Sequence, residues 1–259
     1  MVTESDSLEI LGVRVDRVGM DETLRRVERF IEERTPHRVA TINLDTLRHA
    51  QSCPGFRQAL NAADLVLADG MPLLWASRLR RRPLKERVTG VDVADRCAGL
   101  AAAKGYRVFF LGAGPGVAQS AARVLQERYP GLEVAGAYTP PMGEFSEEDE
   151  LKIFEAIAAA KPDILLVALP TPRLELWNHA NIRRLNVPVV FGVGAALDML
   201  SNTVPRAPRW MQRSGLEWFF RLLVDPRRLW KRYLVHDTTF VLRILISRIT
   251  SKRASPQAP

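Results

Sequence analysis

The sequence predicts an α/β fold: a parallel sheet covered by helices on both faces, with a basic helical appendage behind it. Three observations lead there. Short apolar runs alternate with helical patterns through roughly the first 200 residues, as strands and helices do in a covered parallel sheet. One of those runs, Asp163-Ile-Leu-Leu-Val-Ala-Leu169, lacks the in-and-out alternation of a half-exposed strand and reads as buried on both faces. After Val204 the texture turns to arginine and tryptophan. The expected division is an α/β domain at 1–203 and a helical appendage at 204–259.

Each element has its own signal. Leu8 to Val18 reads as two short strands around Gly12, with Val13 and Val15 on one face. Asp21 is expected to cap a helix whose inner stripe is Leu24, Val27, Phe30 and Ile31. Val39-Ala-Thr-Ile-Asn43 is the next strand, followed by a helix over roughly 46–62. Ala62-Ala-Asp-Leu-Val-Leu-Ala-Asp-Gly-Met71 holds a short apolar strand that opens at Asp69-Gly70 into a helical pattern over 72–81. Arg80-Arg-Arg-Pro83 breaks that pattern, because proline cannot continue a helix. Arg87-Val-Thr-Gly90 is a loop before a helix at about 91–104.

The second half repeats the rhythm. Arg107-Val-Phe-Phe-Leu111 is a strand, and Gly112-Ala-Gly-Pro-Gly116 turns into a helix that ends near Tyr129-Pro-Gly131. Leu132 to Ala137 is a strand, and Thr139-Pro-Pro-Met-Gly-Glu144 a loop. Ser146 caps a helix with Glu147, Glu148 and Asp149 in its first turn, where the helix dipole favours acids. Val187-Pro-Val-Val-Phe-Gly192 follows the buried 163–169 strand. In the tail, Leu216-Glu-Trp-Phe-Phe-Arg-Leu-Leu and a helix from Asp225-Pro226 carry Trp210, Trp218 and Trp230, or sit beside them.

Composition narrows the class. The 259 residues are 47% hydrophobic, enough for a full core. Cys53 and Cys97 lie far apart in no metal-like spacing, so no disulfide framework is implied. That fits a reducing cytoplasm, as does the start Met-Val-Thr-Glu-Ser-Asp, which is no signal peptide. No run approaches the roughly 20 apolar residues of a membrane span. The net charge of +8 belongs to the tail: residues 204–259 hold ten arginines and two lysines against Glu217, Asp225 and Asp237. Basic side chains interleaved with tryptophan suit an anionic membrane surface or a pyrophosphate better than duplex DNA, so no nucleic-acid partner is expected. Packing of the tryptophans onto the domain is the alternative. The apolar stripe Phe240-Val-Leu, Ile244-Leu-Ile, Ile249 suits the membrane surface or burial against a sister chain in a homo-oligomer.

Chemistry gathers at the strand ends: Thr41 and Asn43, Asp69-Gly70, Gly112 to Gly116, Pro170-Thr171, and Gly192-Val-Gly194 followed by Asp198. In an open α/β sheet, ligands bind just outside the carboxyl ends of the strands. Asp69 is there as a general base or ligand anchor, or else as a helix cap. Gly112, Gly114 and Gly116 bring backbone N–H groups to a diphosphate at a helix N-terminus, or simply make a tight turn. Arg87 either neutralises a phosphate or is a solvated surface arginine. There is no Walker lysine, no His-Glu-x-x-His and no Gly-x-Ser-x-Gly, and the four histidines are scattered. A Rossmann-type oxidoreductase would want an acid after the strand following the glycine turn, but Glu133 stands at that strand's start. It stays as an alternative, as does a non-enzymatic sugar-nucleotide binding module at a membrane.

These residues together resemble the WecG/TagA/CpsF glycosyltransferases, glycosyltransferase family 26, from about Leu8 to Tyr233. The motifs that carry the likeness are Thr41-Ile-Asn43, Ala63-Asp-Leu-Val-Leu-Ala-Asp-Gly70, Arg87-Val-Thr-Gly90, Gly112 to Gly116 and Gly192-Val-Gly-Ala-Ala-Leu-Asp198. The most specific is Arg206-Ala-Pro-Arg-Trp-Met-Gln-Arg-Ser-Gly-Leu-Glu-Trp-Phe-Phe-Arg221. The resemblance implies a Rossmann-like fold and an inverting enzyme, peripheral on the inner face of the membrane. Such an enzyme moves a sugar such as N-acetylmannosamine from UDP to undecaprenyl-diphosphate-linked N-acetylglucosamine for cell-surface polysaccharide. It further implies Asp69 as catalytic base and Thr41, Asn43, Arg87, Arg221, Arg228 and Lys231 as substrate-binding residues. Gly112, Gly114, Gly116 and Asp198 then belong to the nucleotide site. No Asp-x-Asp motif is present, so no metal and no cofactor is expected. One departure stands out: where the family has Gly-x-Pro-Lys-Gln-Glu, this chain has Pro170-Thr-Pro-Arg-Leu-Glu175. With Leu174 in place of an amide, the expected donor differs from the N-acetylmannosamine nucleotide.

Overall fold

The computed structural model describes residues 6–79 and 83–231. The chain opens with a hairpin of β1 (Ser7–Ile10) and β2 (Val13–Asp16), turned at Gly12, whose φ of 79° a side chain would resist. Then come α1 (Met20–Glu33), β3 (His37–Ile42), α2 (Leu44–Ser52), α3 (Pro54–Asn61), β4 (Leu65–Ala68), α4 (Met71–Leu79) and α5 (Gly90–Lys104). The second half gives β5 (Arg107–Gly112), α6 (Val117–Arg128), β6 (Glu133–Tyr138), α7 (Glu147–Ala160), β7 (Ile164–Ala168), α8 (Arg173–Leu185), β8 (Val189–Gly192) and α9 (Ala196–Leu200). Three short helices follow: α10 (Arg209–Ser214), α11 (Glu217–Val224) and α12 (Pro226–Trp230). The amphipathic stripe expected at 240–249 and the Arg80–Arg82 breaker lie outside the described residues.

Strands β3 to β8 form one parallel sheet in the order β4-β3-β8-β7-β5-β6. Every residue of β4, β7 and β8 is buried, which is why these strands read as unbroken apolar runs. One face of the sheet packs on α1, α5, α6 and α9. The other packs on α2, α3 and α4 at one end and on α7 and α8 at the other. Phe110 and Phe191 are fully enclosed on the first face, each removing apolar area that stabilises by about 2–3 kcal/mol.

Two local expectations fail. The helix over 46–62 is two helices, because Pro54 has no N–H to donate to the preceding turn and instead starts α3. Asp21 does not cap α1. The cap position is Gly19, with no side-chain cap hydrogen bond, and Asp21 sits in the first turn facing Arg96 at 3.6 Å. Ser146, by contrast, does cap α7, in a reciprocal box with Asp149.

Candidate active site

The helices after β3 lie on one face of the sheet and the helix after β8 on the other, so the chain parts above this neighbouring pair. Such a parting opens a crevice at the carboxyl edge. Thr41 spans it: its hydroxyl donates to the Gly192 carbonyl across the β3–β8 seam at 3.1 Å.

Asp69 follows the last residue of β4, and its N–H donates to the Ile42 carbonyl at 2.7 Å, which fixes it beside the end of β3. The loop from Arg87 returns to this point, since Val88 N–H donates to the Ala68 carbonyl at 2.9 Å. Thr89 caps α5 by accepting from the Asp92 N–H, and that turn aims the Gly90 N–H at Asp69 Oδ2, 3.4 Å away. A side chain at Gly90 would meet the Val193 carbonyl at 3.1 Å, closer than most such contacts, so glycine eases the close start of α5. Asp69 is half-buried, yet protein crowds its carboxyl and this desolvation raises its pKa. Arg221, the Gly90 N–H and Arg87 act the other way, and Glu217 adds to the rise.

Glu217 links the tail to this loop. Its Oε2 accepts from Arg87 Nη1 at 3.0 Å, and its Oε1 accepts from Arg221 Nη2 at 3.1 Å. Arg206 Nε stands 3.8 Å from the same Oε1, and Arg206 Nη2 pairs with Asp92 at 2.7 Å. Arg87 also donates to the Gln212 carbonyl at 3.2 Å. The α10–α11 turn presses on α4, where a side chain at Gly215 would stand 2.6 Å from Met71 Cγ. Arg87 is therefore no solvated surface arginine.

The other candidates are placed with mixed results. Asn43 caps α2, its Oδ1 accepting from the N–H and hydroxyl of Thr46 at 3.2 Å each, while its Cβ lies beside Gly70. Gly112 and Gly116 have φ of 102° and 76°, and Gly116 stands at the N-cap of α6. Gly114 lies between them. Asp198 sits half-buried in the first turn of α9, which packs against α6 and α5. The glycine turn and Asp69 are not brought together: they end β5 and β4, four strand spacings apart, or roughly 19 Å. Lys231 is exposed with its Nζ 5.6 Å from the Trp230 ring. Arg228 lies on α12, and its side chain is outside the described residues.

Leu174 is 5% exposed in the apolar cluster with Phe109, Leu111 and Val167. Its Cδ2 stands 3.4 Å from where a Cβ on Gly192 would lie, at the end of β8 whose carbonyl takes the Thr41 hydroxyl. Glu175 and Glu217 escaped the sequence reading. The signal for Glu217 was present, as an acid among the arginines of the tail, four residues before Arg221 on one helix face.

A parallel α/β sheet with a carboxylate at its carboxyl edge, within the field of two arginines, is an arrangement that can take an anionic ligand. The sequence profile of the Glycosyl transferase WecG/TagA/CpsF family matches residues 8–254, and the chain belongs to that family. It is a glycosyltransferase. It is similar to the N-acetylglucosaminyldiphosphoundecaprenol N-acetyl-beta-D-mannosaminyltransferases of Staphylococcus aureus strains NCTC 8325 / PS 47 and COL. Each is 29% identical over 227 residues, covering 87% of this chain and 86% of the relative.

Proposed function

We propose that this glycosyltransferase moves a hexose, N-acetylmannosamine or a related sugar, from a UDP-sugar to an undecaprenyl-diphosphate-linked N-acetylglucosamine or similar lipid-linked sugar, with inversion, in cell-surface polysaccharide synthesis. Asp69 is the base. It takes the proton of the acceptor hydroxyl as that oxygen attacks the anomeric carbon, and UDP departs with the bonding pair. Arg87 and Arg221 stabilise the negative charge that develops, which fixed guanidiniums do without reorganising. Thr41 and Asn43 line the sugar end. The Gly112–Gly116 turn and Asp198 hold the nucleotide end, at a separation a sugar diphosphate nucleoside can span. No metal or other cofactor is needed in this scheme.

The observation that carries the reading is Asp69 held at a strand end by the Gly90 N–H, within the field of Arg221 and Arg87. The named relatives, which by their names act on a diphosphoundecaprenol-linked sugar, support the acceptor. Among the described residues no helix is long and apolar enough to cross a membrane. The reading places residues 204–259 as a docking appendage on the anionic inner face of the cell membrane. The test is UDP release across a panel of UDP-sugars with undecaprenyl-diphosphate-N-acetylglucosamine. Turnover that requires the acceptor is expected, and UDP-sugar binding without it would overturn the proposal.

A further inference from the structure

We propose that Glu217 is a positioning residue: its buried carboxylate clamps Arg87, from the loop beside β4, against Arg221, from α11, and so sets where a diphosphate sits relative to Asp69. The inference rests on the reading of Asp69 as base and deepens it.

Glu217 is only 5% exposed, and both its oxygens are engaged, Oε2 by Arg87 and Oε1 by Arg221. Those two arginines come from chain segments 134 residues apart, and among the described residues no other acid is paired with both. Three guanidiniums, of Arg87, Arg206 and Arg221, converge on this one carboxylate, and Asp92 balances Arg206 from the far side. Arg87 and Arg221, both acting on the Asp69 carboxyl, are guanidiniums of the kind that grip a diphosphate. Arg87 is further held by the Gln212 carbonyl, and Arg221 Nη2 lies 3.5 Å from Met199 Sδ, so each keeps a second anchor. Glu217 thus decides orientation rather than presence.

It also acts on the base through space. The charged groups that act on the Asp69 carboxyl are Arg221 and Glu217 from α11 and Arg87 from the loop, with the Gly90 N–H from α5. Glu217 is the one that makes ionisation of Asp69 harder. A plain structural strut joining α11 to the loop would hold the fold without governing either the pH at which Asp69 ionises or the arginines' grip.

The test compares Glu217→Gln and Glu217→Asp in the full chain, using whichever UDP-sugar turns over and undecaprenyl-diphosphate-N-acetylglucosamine. Glu217→Gln removes the negative field, so the acid limb of kcat/KM moves to lower pH, and kcat drops about tenfold as the arginines lose alignment. Glu217→Asp keeps the charge but withdraws it by about 1.5 Å, one carbon–carbon bond. It leaves the acid limb in place and still loses kcat. A folded Glu217→Gln with the wild-type limb and turnover overturns the inference. If that variant does not fold, a Glu217→Asp protein with wild-type kcat and KM overturns it. Asp69→Asn is measured in parallel. If it turns over normally, the base assignment is what failed, and the clamp is then judged on the kcat and KM of Glu217→Asp alone.

Discussion

The carboxylate of Glu175 lies against Gly192: a methyl group on that glycine would stand 2.6 Å from Oε1. Glu175 starts α8, is 3% exposed, and presses on the end of β8 from the face opposite α9. On the same strand end, the Gly192 carbonyl takes the Thr41 hydroxyl. Burial pushes the Glu175 carboxyl up to about 7, against the pull of Arg38. Arg38, itself 2% exposed, donates to the Glu175 and Ala59 carbonyls.

A pH dependence of stability follows. An acid whose folded pKa lies above its unfolded one binds more protons when folded, between the two values. The stability it contributes is whole below pH 4.5 and is lost as pH climbs to about 7, on the order of 3 kcal/mol in all. Urea unfolding at pH 5 and pH 8 measures it. Glu175→Gln, which cannot ionise, is expected to lose clearly less stability than wild type over that interval. Equal losses in the two proteins would show that Glu175 is not the group responsible.

Asp69→Asn is expected to lower kcat by about a hundredfold or more, the scale of a lost general base, while UDP-sugar affinity persists. The wild-type rate should rise with pH on its acid side, because Asp69 works ionised and its crowded carboxyl holds its proton to higher pH than a free aspartate. Near-wild-type turnover of a folded Asp69→Asn protein would end the assignment.

Two glycines in left-handed conformations separate backbone strain from contact. Gly105 ends α5 with φ of 72° and open space around it, so Gly105→Ala is expected to cost about 1 kcal/mol. Gly112 has φ of 102°, and a methyl group there would overlap the Ala168 carbonyl oxygen on β7. Gly112→Ala is expected to cost more than about 3 kcal/mol, because backbone cannot step aside as a flexible side chain can. Similar melting temperatures for the two variants would contradict this.

The strands and the polar residues at their ends were legible because both are local signals: an apolar run, then a residue that breaks it. Asp69, Thr41 and the glycine turn could each be found that way. The clamp could not. Glu217 in a basic stretch looks like a solvated charge, and what buries it is Arg87, 130 residues away in sequence. Glu175 was hidden differently, since its burial depends on the missing side chain of Gly192. Leu174 replaces an amide at a motif position, and its side chain packs in the core. Pro54 was a helix-start signal passed over inside a pattern that stayed apolar on both sides.

The last prediction concerns the outer surface of α10 to α12. Trp210 and Leu223 are each 63% exposed, and Trp218, Phe219, Val224 and Trp230 are exposed as well. Arg209, Arg213, Arg227 and Lys231 stand in solvent among them. Met211 and Leu229 are turned inward and hold these helices in place, so the outward aromatics are not needed for that. A surface mixing large apolar side chains with cations favours the boundary of an anionic bilayer. There each basic residue adds about 1 kcal/mol of attraction, which salt screens. The protein is expected to co-sediment with vesicles rich in phosphatidylglycerol, less so in 0.5 M salt, where the Debye length falls to roughly 4 Å. Trp210→Glu combined with Leu223→Glu should abolish that binding and slow transfer to the lipid-linked acceptor, while UDP-sugar affinity and melting temperature stay near wild type. If the doubly substituted protein still co-sediments in a salt-sensitive way, the docking surface lies elsewhere on the chain.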